Sequence, residues 1–113
     1  MKISILIPVY NEELTISQLI EKILNVDINK EIILVNDGST DNTLKIIHKF
    51  EDKIDKIISH KKNQGKGSAI KTAKKFATGD IMIIQDGDLE YDPIDYKILI
   101  EPFLNNKSKV VYG

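Results

Sequence analysis

The 113-residue chain contains no cysteine, which excludes disulfides, thiolate zinc sites and cysteine nucleophiles. An excess of charge of either sign is also missing. Sixteen Lys and Arg face 17 Asp and Glu, for a net charge of -1, so no global attraction to nucleic acid or anionic membrane exists and any electrostatics must be local. No apolar run approaches the ~20 residues of a membrane span, and the stretch Met1 to Pro8 is too short for a signal peptide. A cytoplasmic location is therefore expected. Histidine is scarce: His48 and His60 are isolated, neither has a spacing partner for metal or triad chemistry, and neither is assigned a role. Internal repeats, linkers and low-complexity segments are absent. What remains, 42% hydrophobic and 29% charged residues, is ordinary for one globular domain with a small core.

Within that domain, β-branched runs alternate with segments of helical period. Ile3 to Val9 reads as a strand, with Pro8 placed near its end, where a missing N–H is tolerated. After Asn11-Glu12-Glu13, which offers a capping side chain and acidic residues for a first turn, Ile16, Leu19, Ile20, Ile23 and Leu24 recur at helical spacing. Glu31 to Asn36 is a second strand, and the turn-rich Asp37-Gly38-Ser39-Thr40-Asp41 opens a helix carrying Leu44, Ile47 and Phe50. Ile54 to Ser59 is a weaker third strand. Asn63-Gln64-Gly65-Lys66-Gly67 leads into a helix with Ile70, Ala73 and Ala77 on one face, expected to end at Gly79. A fourth strand starts at Ile81; Asp92-Pro93 should open a last helix through Ile98 to Phe103; Lys109 to Gly113 begins a fifth strand. This order predicts an α/β fold with a mainly parallel sheet, strand order 3-2-1-4, flanked by helices.

The most informative segment is Ile81 to Glu90, where an apolar run of the kind buried on both faces stops at Asp86 and Asp88, separated by Gly87. Two carboxylates at a strand's carboxyl end repel unless a cation lies between them, and a hard divalent ion carrying a phosphate is the usual answer. With the order 3-2-1-4, the first and fourth strands flank the switch point, so their end loops and the one at Asp37 border one crevice. Tyr10 could stack on a base there, and Asp37 could accept hydrogen bonds from a base or ribose. Taken alone, Asp37-Gly38-Ser39 reads as a helix-capping turn; the convergence of the three loops is what suggests a nucleotide pocket.

Two rival readings are weaker. Gly65-Lys66-Gly67-Ser68-Ala69-Ile70 resembles the G-x-G-x-x-G dinucleotide loop with an acidic residue about 20 positions on, but Ile70 replaces the third glycine and the loop follows the third strand. Its glycines instead suit a tight strand-to-helix turn and close helix packing. Lys61, Lys62, Lys66, Lys71, Lys74 and Lys75 could be taken for a nucleic-acid patch, but no aromatic residues interleave them. They read as a solvated helix face, with Lys66 the candidate for a phosphate contact, and no nucleic-acid partner is expected.

Ile7-Pro8-Val9-Tyr10-Asn11-Glu12, Val35-Asn36-Asp37-Gly38-Ser39-Thr40-Asp41, Asn63-Gln64-Gly65-Lys66-Gly67 and Asp86-Gly87-Asp88-Leu89-Glu90-Tyr91-Asp92-Pro93 occur in that order. Together they resemble the family 2 inverting glycosyltransferases of the GT-A fold, and within them the polyprenyl-phosphate (dolichyl-phosphate) mannosyl- and glucosyltransferase branch. The resemblance implies that Pro8, Tyr10, Glu12, Val35 and Asp37 hold the nucleoside of a UDP- or GDP-hexose. It also implies that Asp86, Gly87 and Asp88, a D-x-D motif, bind the ribose and, through Mg²⁺ or Mn²⁺, the diphosphate. Asp88 would be the principal metal ligand. The family commonly has alanine at Gly87 and often glutamine at Glu90; an acidic Glu90 either strengthens the metal site or serves a different contact.

Family members continue beyond a Val-Tyr-Gly-like strand into an acceptor region with the catalytic residue and, in many, membrane-associating helices. The expectation is thus a single nucleotide-diphospho-sugar-binding domain over 1–113, a fragment of a longer transferase that acts on a polyprenyl phosphate or glycan. No catalytic residue is assigned within the chain. The longer form would work at the cytoplasmic face of a membrane, and an uncovered sheet edge in the fragment would favour a homodimer. The alternative is a truncated, non-catalytic nucleotide-sugar-binding module.

Overall fold

The computed structural model describes residues 1–86 and the backbone of the strand at 109–112. The elements run β1 (Ile3–Val9), α1 (Ile16–Leu24), β2 (Lys30–Asp37), α2 (Thr43–His48), a 3₁₀ turn (Glu51–Lys53), β3 (Lys56–His60), α3 (Lys66–Lys74), β4 (Ile81–Ile84) and β5 (Lys109–Tyr112). All strand pairs are parallel, in the order β3-β2-β1-β4-β5. The expected 3-2-1-4 order is therefore present, with the fifth strand beside the fourth. The helix expected after Asp92-Pro93 lies outside the described residues.

Both faces of the sheet are covered, which explains why the strands are continuous apolar runs rather than alternating ones. Ile3, Ile5, Ile7 and Val9 of β1, with Ile32, Leu34, Ile81 and Ile83, meet α1 and α2 on one face. Leu6, Ile33, Val35 and Ile84 meet Ala69 and Ala73 of α3 on the other. The small alanines let α3 lie close to the sheet.

Helix α1 starts later than the capping pattern suggests. Its N-cap is Thr15, with no side-chain cap and no acidic residue in the first turn. Four buried side chains, Ile16, Leu19, Ile20 and Ile23, hold it instead; at about 1.5–3 kcal/mol each, their burial outweighs a cap worth about 1 kcal/mol. Helix α3 ends at Lys74 rather than at Gly79. Gly79 is required for a different reason: a Cβ there would lie 2.6 Å from Ser4 Oγ and 2.7 Å from Ser4 N. Gly67 has open space around it and so makes no close packing contact. Among the described residues, no helix is long and apolar enough to cross a membrane.

At the amino ends of the strands, Glu31 is buried in a polar knot. It accepts hydrogen bonds from Ser4 Oγ (2.7 Å), Thr78 N (2.6 Å) and Thr78 Oγ1 (2.8 Å), and Lys2 Nζ lies 3.1 Å away. Burial pushes its pKa up, but the bonds from Thr78, Ser4 and Lys2 outweigh this and bring it down to about 2. This knot joins β1, β2 and the segment leading into β4, at the end of the sheet remote from the cleft described next.

A candidate nucleotide cleft at the strand ends

Strand pairing between β1 and β4 stops at Leu6 and Ile84, with a last bond from Gln85 N to Leu6 O (2.9 Å). Two residues beyond Leu6, Pro8 turns the same backbone edge toward β4, where pairing has ended, so its missing N–H costs no ladder bond. The strands part at this switch point, and a cleft of about 520 Å³ opens, lined by Pro8, Val9, Tyr10, Glu12, Asp37, Asn63, Gly65, Lys66, Ala69 and Asp86. Strand alternation explains much of the set. Leu6, Pro8 and Tyr10 share the α3 face of β1; Ile33, Val35 and Asp37 share that of β2; Ile84 and Asp86 continue that of β4.

The loops are tied to each other. Asn11, with φ of 50°, occupies the left-handed region that asparagine tolerates. Its backbone N–H donates to Ser39 Oγ (3.0 Å) and its Oδ1 accepts from Thr40 N (2.8 Å). Glu12 N donates to Thr43 Oγ1 (2.9 Å), and Glu13 Oε2 accepts from Asn42 N (3.1 Å). The side chains read from sequence as a helix cap and first turn thus bind the first strand-end loop to the second. Gly38, with φ of 73°, packs so tightly on the Lys62 and Asn63 backbone that a Cβ would overlap it.

Asp37 is 2% exposed, and both of its oxygens are engaged. Oδ1 accepts from His60 Nδ1 (2.8 Å) and Gln64 N (2.9 Å), and Oδ2 accepts from Gly65 N (2.9 Å). Burial raises its pKa, while the His60 bond, the Gln64 and Gly65 amides and the charge of His60 more than reverse that, leaving it below the usual carboxylate range. Asp37 is not a helix cap; Asp41 Oδ1 accepts from Thr43 N (2.9 Å) ahead of α2. The Gly65 turn, with φ of 96°, brings Lys66 to the start of α3, where its ammonium pairs with Asp86 across the cleft.

Of the residues expected to form the site, Pro8, Tyr10, Glu12, Asp37 and Asp86 come together, with Tyr10 44% exposed. Val35 does not join them: its side chain is fully buried beneath α3, because the alternation that turns Asp37 toward the cleft points Val35 into the core below it. Gly87, Asp88 and Glu90 lie outside the described residues. His60, given no role from sequence, is the residue most clearly missed. The parallel register of β2 and β3 sets it beside Asp37, a pairing with no local signal in the sequence.

An oxygen ligand set suits a hard divalent cation. Asp86 offers one such oxygen, its charge already countered by an ammonium; among the described residues no group of three or more His, Asp or Glu could hold a metal.

The family model described as glycosyl transferase family 2 matches residues 4–113. The chain belongs to glycosyl transferase family 2. It is similar to the dolichol-phosphate mannosyltransferase of Pyrococcus furiosus, 34% identical over 116 residues covering 100% of this chain and 33% of that protein. It is also similar to the undecaprenyl-phosphate 4-deoxy-4-formamido-L-arabinose transferase of Proteus mirabilis, 37% identical over 106 residues covering 88% of this chain and 32% of that protein. The chain spans about a third of the length of these curated relatives. Among solved structures, S. aureus TarS 1-349 in complex with UDP-GlcNAc matches with a TM-score of 0.80 and 29% identity, over 93% of this chain and 31% of that one. The mannosyltransferase PcManGT from Pyrobaculum calidifontis, in complex with GDP-Man and Mn²⁺, matches with a TM-score of 0.74 and 26% identity, over 82% of this chain and 29% of that one. The family 2 fold, with its Rossmann-like GT-A sheet, is thus the frame in which the cleft sits.

Proposed function

We propose that residues 1–113 form a single donor-binding domain of a hexosyltransferase. It takes a hexose from a UDP- or GDP-sugar, with inversion and a divalent metal, and passes it to a polyprenyl phosphate or a glycan. The observation that carries this reading is the convergence of four separate strand-end loops, those after β1, β2, β3 and β4, on one cleft at the β1/β4 switch point, bringing Tyr10, Asp37, Lys66 and Asp86 around it. The names of the relatives, which include polyprenyl-phosphate sugar transferases and structures holding UDP-GlcNAc or GDP-Man, support it.

In an inverting transfer the acceptor oxygen attacks the anomeric carbon opposite the nucleoside diphosphate, and negative charge builds on the departing diphosphate. Tyr10 stacks on the base and Asp37 accepts from it, which orients the donor in the cleft. Asp86 and Asp88, with Glu90, would hold Mg²⁺ or Mn²⁺, which when bound neutralises charge on the leaving diphosphate as a Lewis acid. Lys66 pairs with Asp86 Oδ1, which leaves Oδ2 of that carboxylate to face a cation. A lipid-phosphate acceptor is already anionic and needs no general base; a sugar hydroxyl needs one.

Calorimetric titration of UDP and GDP, with Mg²⁺ or Mn²⁺ and then with chelator, tests the reading. Binding of one nucleotide that vanishes with chelator is expected. Equal binding under both conditions, or none at all, contradicts it.

A further inference from the structure

His60 does not line the cleft, yet it grips the residue that does. Parallel register between β2 and β3 pairs Asp37 with His60, so the two side chains leave neighbouring strand ends on the same face. The imidazole is 10% exposed and spans two elements: Nδ1 lies 2.8 Å from Asp37 Oδ1, and Nε2 lies 2.9 Å from Thr72 Oγ1 on α3. An ionised carboxylate only accepts, so Nδ1 carries a proton. Its other nitrogen, Nε2, meets the Thr72 hydroxyl, and α3 fixes the ring's orientation.

The consequence falls on Asp37. Oδ1 is filled by His60 and Gln64, while Oδ2 accepts one described bond, from Gly65 N. A carboxylate oxygen accepts about two such bonds, so Oδ2 retains acceptor capacity in the group that lines the cleft. Loss of the His60 donor would leave Oδ1 with the Gln64 amide alone, so that the carboxylate is held by two adjacent loop amides and no longer by β3.

We propose that His60 is a positioning residue for nucleobase recognition, holding Oδ1 of Asp37 so that Oδ2 presents its remaining lone pair to an N–H of the donor's base. This rests on the donor-site reading above. Thr72 serves the same purpose at one remove, by fixing the ring.

The test compares His60→Asn, which puts an amide donor at the Nδ1 position, with His60→Gln, which puts one at the Nε2 position and leaves Oδ1 without it. Thr72→Val, which keeps most of the α3 packing, is the third variant. UDP and GDP with Mg²⁺ are titrated into each, and urea unfolding is measured in parallel to show that each is folded. The expected result is near wild-type affinity for His60→Asn, a loss of about tenfold or more for His60→Gln, and a smaller loss for Thr72→Val. Thr72→Val keeps the idea falsifiable where His60→Gln fails to fold: unchanged affinity in a folded Thr72→Val then overturns it. Equal losses for His60→Asn and His60→Gln, or no loss in a folded His60→Gln, overturn it as well. A wild-type chain that binds neither nucleotide overturns the donor-site reading, and this inference with it; equal losses against a wild type that binds overturn this inference alone.

Discussion

Glu31 should make a large part of the fold's stability depend on acid pH. Its carboxylate receives two hydrogen bonds from Thr78 and one from Ser4, with Lys2 3.1 Å away, and its pKa falls from an ordinary 4.5 to about 2. A group whose folded pKa is depressed stabilises the fold above its unfolded pKa. That contribution is lost as pH falls through the folded value. The difference of about 2.5 units, at 1.36 kcal/mol per unit, is about 3 kcal/mol, present at pH 7 and lost progressively between about pH 4.5 and pH 2. The side chain is 10% exposed, so solvent screening removes little of this. Glu31→Gln removes the charge and, with its amide oxygen kept on Ser4 Oγ and Thr78 N, turns an N–H₂ toward Thr78 Oγ1 and Lys2 Nζ, so it should cost about 3 kcal/mol at pH 7. Urea unfolding of wild type and Glu31→Gln from pH 7 to pH 2 is the assay. The two stability curves should converge as pH falls, and the wild type should lose more. Parallel curves, or a cost under about 1 kcal/mol at pH 7, would refute the reasoning. Nucleotide affinity should be the same for both proteins, since Glu31 lies at the other end of the sheet.

Asp86→Asn should abolish metal-dependent nucleotide binding while leaving the urea midpoint nearly unchanged, because its partner Lys66 is largely exposed; Asp37→Ala should cost about 2–4 kcal/mol in urea unfolding, since it strands three donors at a buried site. Three glycine-to-alanine changes should differ in sign: Gly38→Ala and Gly79→Ala would drive a Cβ into the Lys62–Asn63 backbone and Ser4 and cost more than about 2 kcal/mol, whereas Gly67→Ala, in open space on a helix, should gain up to about 1 kcal/mol. Thermal melts of the three variants check this. Tyr10→Ala, at a half-exposed position, should lower UDP or GDP affinity about tenfold in calorimetry with stability changed by less than about 0.5 kcal/mol.

The element order and the 3-2-1-4 sheet were legible in the sequence because β-branched runs on a sheet covered on both faces leave an unambiguous mark, and because the polar ends of three runs had to converge. Two features resisted. Register between strands is a tertiary property, so nothing local in Ser59-His60-Lys61 announces that His60 lands beside Asp37. Local capping also misled: Asn11-Glu12-Glu13 has the composition of a helix start, but tertiary partners at Ser39, Thr40, Asn42 and Thr43 claim it, and α1 begins at Ile16. Val35 shows the limit of carrying a residue role over by position. Period-2 alternation puts it on the same face as Asp37, but the depth along the strand that buries it beneath Ala69 and Ala73 appears once α3 is placed.

The central claim is that the cleft at the carboxyl ends of β1, β2 and β4 takes a nucleoside diphosphate. Amide chemical-shift mapping of the ¹⁵N-labelled chain, titrated with UDP and then GDP in the presence of Mg²⁺, tests it at residue level. The account predicts shifts at Tyr10, Asp37, Gly38, Gly65 and Lys66, with Mn²⁺ substitution broadening the signals next to Asp86, and no change at Ser4, Glu31, Thr78 and Gly79. Shifts centred on the Glu31 end of the sheet, or none with either nucleotide, would contradict it.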